Sequence, residues 1–165
     1  MTGVYLAGTE ARSGKSAVAV GLAAQLARRH RRVGVFRPIV DGRADDDHLL
    51  RVLLAEAATD LAPSDAWGVT YDLLHADTAS ALGTVVDRYH RVADASDVVL
   101  VVGSDFTDVA APTEFSTNAR IAADLGTPVV LVVPARDRRA ADVAGSAVAA
   151  AAAARQVHAR VAGVV

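Results

Sequence analysis

The stretch that most restricts what this chain can fold into is its opening. Val4-Tyr5-Leu6-Ala7 leads into Gly8-Thr9-Glu10-Ala11-Arg12-Ser13-Gly14-Lys15-Ser16, and then into Ala17-Val18-Ala19-Val20-Gly21-Leu22-Ala23-Ala24-Gln25-Leu26. A short apolar run, a glycine-bounded loop closing on Gly-Lys-Ser and a segment of helical spacing predict a strand, a phosphate loop and a helix. In such a loop successive backbone N–H groups, with the free N–H groups of the helix start, form a concave nest for phosphate oxygens. The predicted phosphate-binding set is Gly8, Thr9, Glu10, Ala11, Arg12, Ser13, Gly14, Lys15 and Ser16. Within it Gly14 lets the backbone approach the anion, Lys15 reaches the β- and γ-phosphates, and the Ser16 hydroxyl is a Mg²⁺ ligand. Of the 17 cationic side chains all but Lys15 are arginines. A compact ammonium suits the nest, where a planar guanidinium would crowd it.

At 165 residues the chain has the size of a single domain able to bury its own core. Hydrophobic residues make up 52% but aromatic ones only 4%, so the core is built of Ala and Val. That composition suits close-packed helices on a Val-rich parallel sheet. The net charge of −2 and the lack of a stacking platform exclude nucleic acid from the expected partners. With no Cys, disulfides, thiolate nucleophiles and Cys-based metal sites are ruled out. The first residues lack a basic leader and a long apolar core, and the longest apolar run, Val98-Val99-Leu100-Val101-Val102, is too short to span a bilayer. No membrane partner and a cytoplasmic location are expected.

Further along, Arg28-Arg29-His30-Arg31-Arg32 falls where the first helix ends, a place the dipole favours cations, and reads as a solvated helix terminus rather than a phosphate patch. Residues 33–36 form a second strand, closed by Pro38. Arg37 then stands at a strand's carboxyl end, where open α/β sheets bind ligands, and joins the anion-binding candidates. Asp45-Asp46-Asp47 allows a metal site, but Asp47 ahead of His48-Leu49-Leu50 fits a helix N-cap. Residues 60–78 show no period, and Trp67 among them reads as a packing residue. Residues 79–95 place Leu82, Val85, Val86, Tyr89 and Val92 on one side of a helix.

Residues 97–102 are a fully buried strand ending in Gly103-Ser104-Asp105. Phosphate-loop proteins place the acidic group that holds Mg²⁺ through water at this point. Asp105 is therefore the candidate metal ligand beside Ser16, the alternative being that metal binding here is weak or lost. A helix at 116–126, a strand at 128–133 and an Ala-rich helix at 138–157 follow. Residues 161–165 read as a further core strand, and a buried strand at a chain end leads to the expectation of a fragment.

Thr9 stands where the commonest phosphate loop has glycine, and Gly-Thr-x-x-x-x-Gly-Lys-Ser resembles the loop of dethiobiotin synthetase and its relatives. Glu10 occupies the position of the second signature lysine of partition ATPases and argues against those. Adding Val33-Gly34-Val35-Phe36-Arg37-Pro38-Ile39, Asp87-Arg88-Tyr89-His90, the strand end at 97–106 and Glu114-Phe115-Ser116-Thr117-Asn118-Ala119-Arg120, the chain resembles the amino-terminal P-loop domain of long-form phosphate acetyltransferase. The resemblance implies an α/β, three-layer P-loop NTPase-like domain over residues 1–165, with a mostly parallel sheet of about five strands and helices on both faces.

It also implies a regulatory domain that binds a nucleotide or small anionic metabolite. The acetyl-transferring domain would lie elsewhere in the parent enzyme, and no catalytic residue in these positions. ATP with Mg²⁺ is the implied cofactor, its binding either retained or vestigial. The rest of the parent acetyltransferase and further copies of it are the implied partners. The competing expectation is a stand-alone ATP-dependent enzyme of dethiobiotin synthetase type. Against it stand Arg37 where that family has Lys, Val102 where it has Glu, and the missing base-reading Asn after the last strand.

Overall fold

The computed structural model describes residues 2–42, 46–104 and 112–165. In chain order it contains β1 (Thr2–Gly8), α1 (Lys15–Ala27), β2 (Val33–Val40), α2 (His48–Glu56), β3 (Trp67–Thr70), α3 (Tyr71–Ala76), α4 (Thr78–Asp94), β4 (Val98–Val102), α5 (Pro112–Asp124), β5 (Val129–Val132), α6 (Ala140–Gln156) and β6 (Val161–Val164). The described strands form one sheet in the order β3-β2-β4-β1-β5-β6. Every neighbouring pair is parallel.

The three layers follow from the period of two along each strand. Leu6, Val35, Leu100 and Val102 pack with Ala19 and Ala23 of α1 and Leu50 and Leu53 of α2. Their alternates Tyr5, Ala7, Phe36, Val99 and Val101 pack with Val85 and Tyr89 of α4, Ala119 and Ile121 of α5 and Ala150 and Ala154 of α6. β2 and β4 are buried along their whole length, as unbroken apolar runs in a doubly covered parallel sheet should be.

Three expectations need correction. The sheet has six described strands rather than about five. The extra one is β3, whose four residues bury only Gly68 and Val69, too few for a period to show in sequence. Next, Pro38 does not close β2, which runs on to Val40. The Arg37 N–H donates to Ala66 O at 2.8 Å on the β3 side, so alternation turns the Pro38 nitrogen toward β4. Its registered pairing with β2 has already ended at Phe36–Val101. A missing donor therefore removes no ladder bond there. Finally, β6 is not a buried core strand. It ends the described sheet order, alternating half-buried and exposed residues.

The topology decides where a site can form. After β1 the chain turns to the face carrying α1 and α2, whereas after its neighbours β4 and β5 it turns to the opposite face carrying α5 and α6. Loops that diverge in this way open a crevice beyond the strands' carboxyl ends.

Candidate functional site

The crevice is occupied by the predicted phosphate loop. A cavity of about 410 Å³ is lined by Gly8 and by every residue from Glu10 to Ser16. The loop is anchored at its start, where both the Thr9 N–H and hydroxyl donate to Val132 O of β5, at 3.1 and 3.4 Å. Thr9 is thus a tether rather than a cavity wall. Arg12 and Gly14 hold positive φ of 57° and 85°, left-handed turns that swing successive N–H groups to one side of a loop. At Gly14 a Cβ would meet nothing within 4 Å, so glycine is there for its conformation and not for space.

Gly14 is also the N-cap of α1, and no side chain caps that helix or places an acid in its first turn. The helix start is open to a ligand, with the positive end of its dipole facing the cavity. Lys15 is only 4% exposed. Its Nζ donates across the crevice to Gly103 O and, at 3.1 Å, to Ser104 O at the end of β4. The Ser16 hydroxyl is exposed on the cavity wall. The nest, the ammonium and the hydroxyl fit the phosphates and metal of a nucleotide, which when bound would supply a transferable or sensed phosphoryl group. Asp105, the other predicted metal ligand, lies outside the described residues, as does part of the acidic 45–47 run. Among the described residues no three acidic or His side chains cluster as a metal site.

Arg37 does not line this cavity. Its Nε pairs with Asp47 Oδ2 at 3.2 Å, both side chains nearly buried. The other Asp47 oxygen accepts the Leu50 N–H at 2.9 Å, so Asp47 is the N-cap its position predicted and also holds Arg37 in place.

Behind Lys15 lies a buried polar hub that sequence reasoning did not single out. Asn118 Oδ1 accepts from the Tyr5 hydroxyl at 2.7 Å and from the Ser104 N–H at 3.0 Å. Asn118 Nδ2 donates to Ser104 Oγ and Glu114 O, each at 3.0 Å, and the Glu114 carboxylate takes the Tyr71 hydroxyl. Burial pushes the Tyr5 hydroxyl far above its ordinary range, opposed by Arg37 and reinforced by Tyr71 and Glu114. Tyr5 therefore stays a proton donor to the hub. Gly103 must be glycine, because a Cβ would collide with Asn118 Oδ1 and come within 3.0 Å of the Tyr5 ring. The hub fixes the two carbonyls that Lys15 grips. Its only trace in the sequence is a single Asn on a helix.

Arg138 was also missed. Following β5, it reaches back to the loop, where its Nη1 donates to Glu10 Oε1 at 2.7 Å. Nothing in the spacing separates Arg138 from Arg136 and Arg139 around it.

A family model described as an AAA domain matches residues 2–165. The phosphate acetyltransferase of Nitratidesulfovibrio vulgaris is 34% identical over 150 residues, 87% of this chain and 21% of that protein. The phosphate acetyltransferase of a Synechocystis strain is 32% identical over 148 residues, 84% of this chain and 21% of its own length. The chain thus spans about a fifth of the curated relatives it matches. Among solved structures, the BceF tyrosine kinase domain superposes with a TM-score of 0.58 at 20% identity, covering 99% of this chain and 67% of that one. The kinase domain of the Escherichia coli tyrosine kinase ETK gives 0.54 at 19%, covering 99% and 66%. At these identities the structural likeness establishes the fold alone.

Proposed function

The chain belongs to the AAA-domain family, whose model covers it from residue 2 to residue 165, and from that premise we propose that it is a nucleotide-responsive regulatory domain of a phosphate acetyltransferase. It binds ATP with Mg²⁺ at the phosphate loop and performs no acetyl transfer itself. The observation that carries this reading is Lys15: nearly buried, forming one wall of the loop cavity and held by the carbonyls of Gly103 and Ser104. Similarity to two acetyltransferases over a fifth of their length supports a domain of that enzyme class, and the cytoplasm is its proposed location. No helix among the described residues is long and apolar enough to cross a membrane.

The loop amides and the start of α1 hold the phosphate oxygens, and Lys15 moves part of its hydrogen bonding from the β4 carbonyls to the β- and γ-phosphates. Ser16, with Asp105 as its proposed companion acting through water, would hold the Mg²⁺ ion beside the phosphates. The Arg37–Asp47 pair speaks for regulation rather than a dethiobiotin synthetase-type reaction. A guanidinium committed to a helix cap beneath the surface is poorly placed to bind reacting groups.

Calorimetric titration with MgATP tests this. The full chain binds, and Lys15→Ala weakens binding by about 10- to 150-fold, the span of a hydrogen bond to a charged group. Equal binding by the two proteins would remove the reading. Acetyl phosphate formation by this chain alone would remove the claim that it lacks the transfer chemistry.

A further inference from the structure

The loop cavity contains one carboxylate among groups otherwise suited to an anion. Glu10 lines it, and a carboxylate beside a phosphate repels it. The structure shows what makes that charge tolerable: Arg138 Nη1 donates to Glu10 Oε1 at 2.7 Å. The two partners are not equally fixed. Arg138 is also held by Pro134 O at 3.3 Å and by Ser146 Oγ of α6 at 2.9 Å, and its side chain is 28% exposed. Glu10 is 47% exposed and sits between two anchors, the Thr9 tether to β5 and the left-handed turn at Arg12. The carboxylate is the more exposed member, and the guanidinium is braced without it.

We propose that Glu10 and Arg138 form a charge latch on the loop cavity. Arg138 is a further phosphate-contacting cation, held by Glu10 until a polyphosphate chain displaces that carboxylate. The inference rests on the reading that the loop binds phosphate, and it adds a second cation brought in from β5, on the side of the loop opposite the β4 carbonyls that hold Lys15. A guanidinium suits this place because its donors fork onto two phosphoryl oxygens. Glu10 leaves readily because a half-exposed ion pair is weak in water. The ligand chemistry is a chain of phosphoryl groups, carried by a nucleoside triphosphate or by inorganic tripolyphosphate.

The test is calorimetric titration of MgATP and of magnesium tripolyphosphate into the full chain, Lys15→Ala, Glu10→Gln and Arg138→Ala. The latch predicts effects of opposite sign. Glu10→Gln tightens binding by up to about 5-fold, the scale of an exposed ion pair. Arg138→Ala weakens it by about 10-fold or more, as for loss of a charged hydrogen bond. Both ligands respond alike, since phosphoryl oxygens are what the guanidinium reads. A pair that merely braced the loop would give weaker binding in both variants, and that result overturns the latch. Unchanged binding in Arg138→Ala, or a loss confined to ATP, also overturns it while leaving the loop reading intact if Lys15→Ala still binds at least about 10-fold more weakly than the full chain. Absence of binding to every protein, Glu10→Gln included, overturns both.

Discussion

The β1–α1 and β2–α2 units have the same strand–loop–helix plan in one sheet, yet their helices begin in opposite ways. α2 is closed from within: Asp47 caps it at Leu50 and binds Arg37 beneath it. α1 begins at Gly14 with no side-chain cap, its first turn exposed to a cavity that Lys15 borders. A doubly wound sheet presents several helix starts along its carboxyl edge, and each attracts anions. Where the chain supplies its own carboxylate the start is structural, and where it withholds one a ligand can take that place.

Breaking the closed end has the largest expected effect. Asp47→Ala removes the helix cap and the nearly buried carboxylate that pairs with Arg37 Nε, which should cost about 2–5 kcal/mol. Denaturant unfolding measures this, and the folded fraction should keep its MgATP affinity, because the pair lies outside the loop cavity. A loss of nucleotide affinity as large as that of Lys15→Ala would mean that the two helix starts are not separate devices.

Altering the open end costs less. Gly14→Ala meets no neighbour and pays only for a left-handed residue, about 1–2 kcal/mol, again read by unfolding. Here the affinity should drop as well, since the strained turn relaxes away from the shape that gathers the amides. A stability loss without an affinity loss would sever the turn from the site.

The smallest effect is expected at the amino ends of β2 and β4, the sheet edge opposite the two helix starts. The Arg32 side chain and then its backbone N–H hold the exposed Asp97 carboxyl below its ordinary value of 3.8. Because the folded-state value is the lower one, the contribution is fully present above the unfolded value of 3.8 and is lost as pH falls from there through the lower folded-state value. Acid unfolding of Asp97→Asn should lack this slight dependence, with stability near neutrality and nucleotide affinity both little changed. A marked change in affinity would show that the amino edge communicates with the loop.

The sequence was most legible where chemistry and local geometry coincide. Gly14-Lys15-Ser16 after an apolar run signals a strand, a loop and a helix, and the structure has β1, a loop and α1 there. Asp47 was readable as a cap because capping is local, but its second role with Arg37 was not, since a long-range ion pair leaves no spacing. The same holds for Asn118, which joins Tyr5, Ser104 and Glu114 from three separate segments, and for Arg138, which meets Glu10 across 128 residues. β3 escaped notice because four residues cannot display a period. β6 was misjudged because an apolar run does not say whether a strand is central or at the end of the sheet order.

The most direct test follows backbone amide chemical shifts while MgATP is added to the full chain. The account predicts that the amides of Ser13, Gly14, Lys15 and Ser16 move together and saturably, while that of Leu50, already bonded to Asp47, stays in place. Shifts centred on the start of α2, or none in the loop at saturating nucleotide, would contradict the claim that the uncapped helix is the one that receives phosphate.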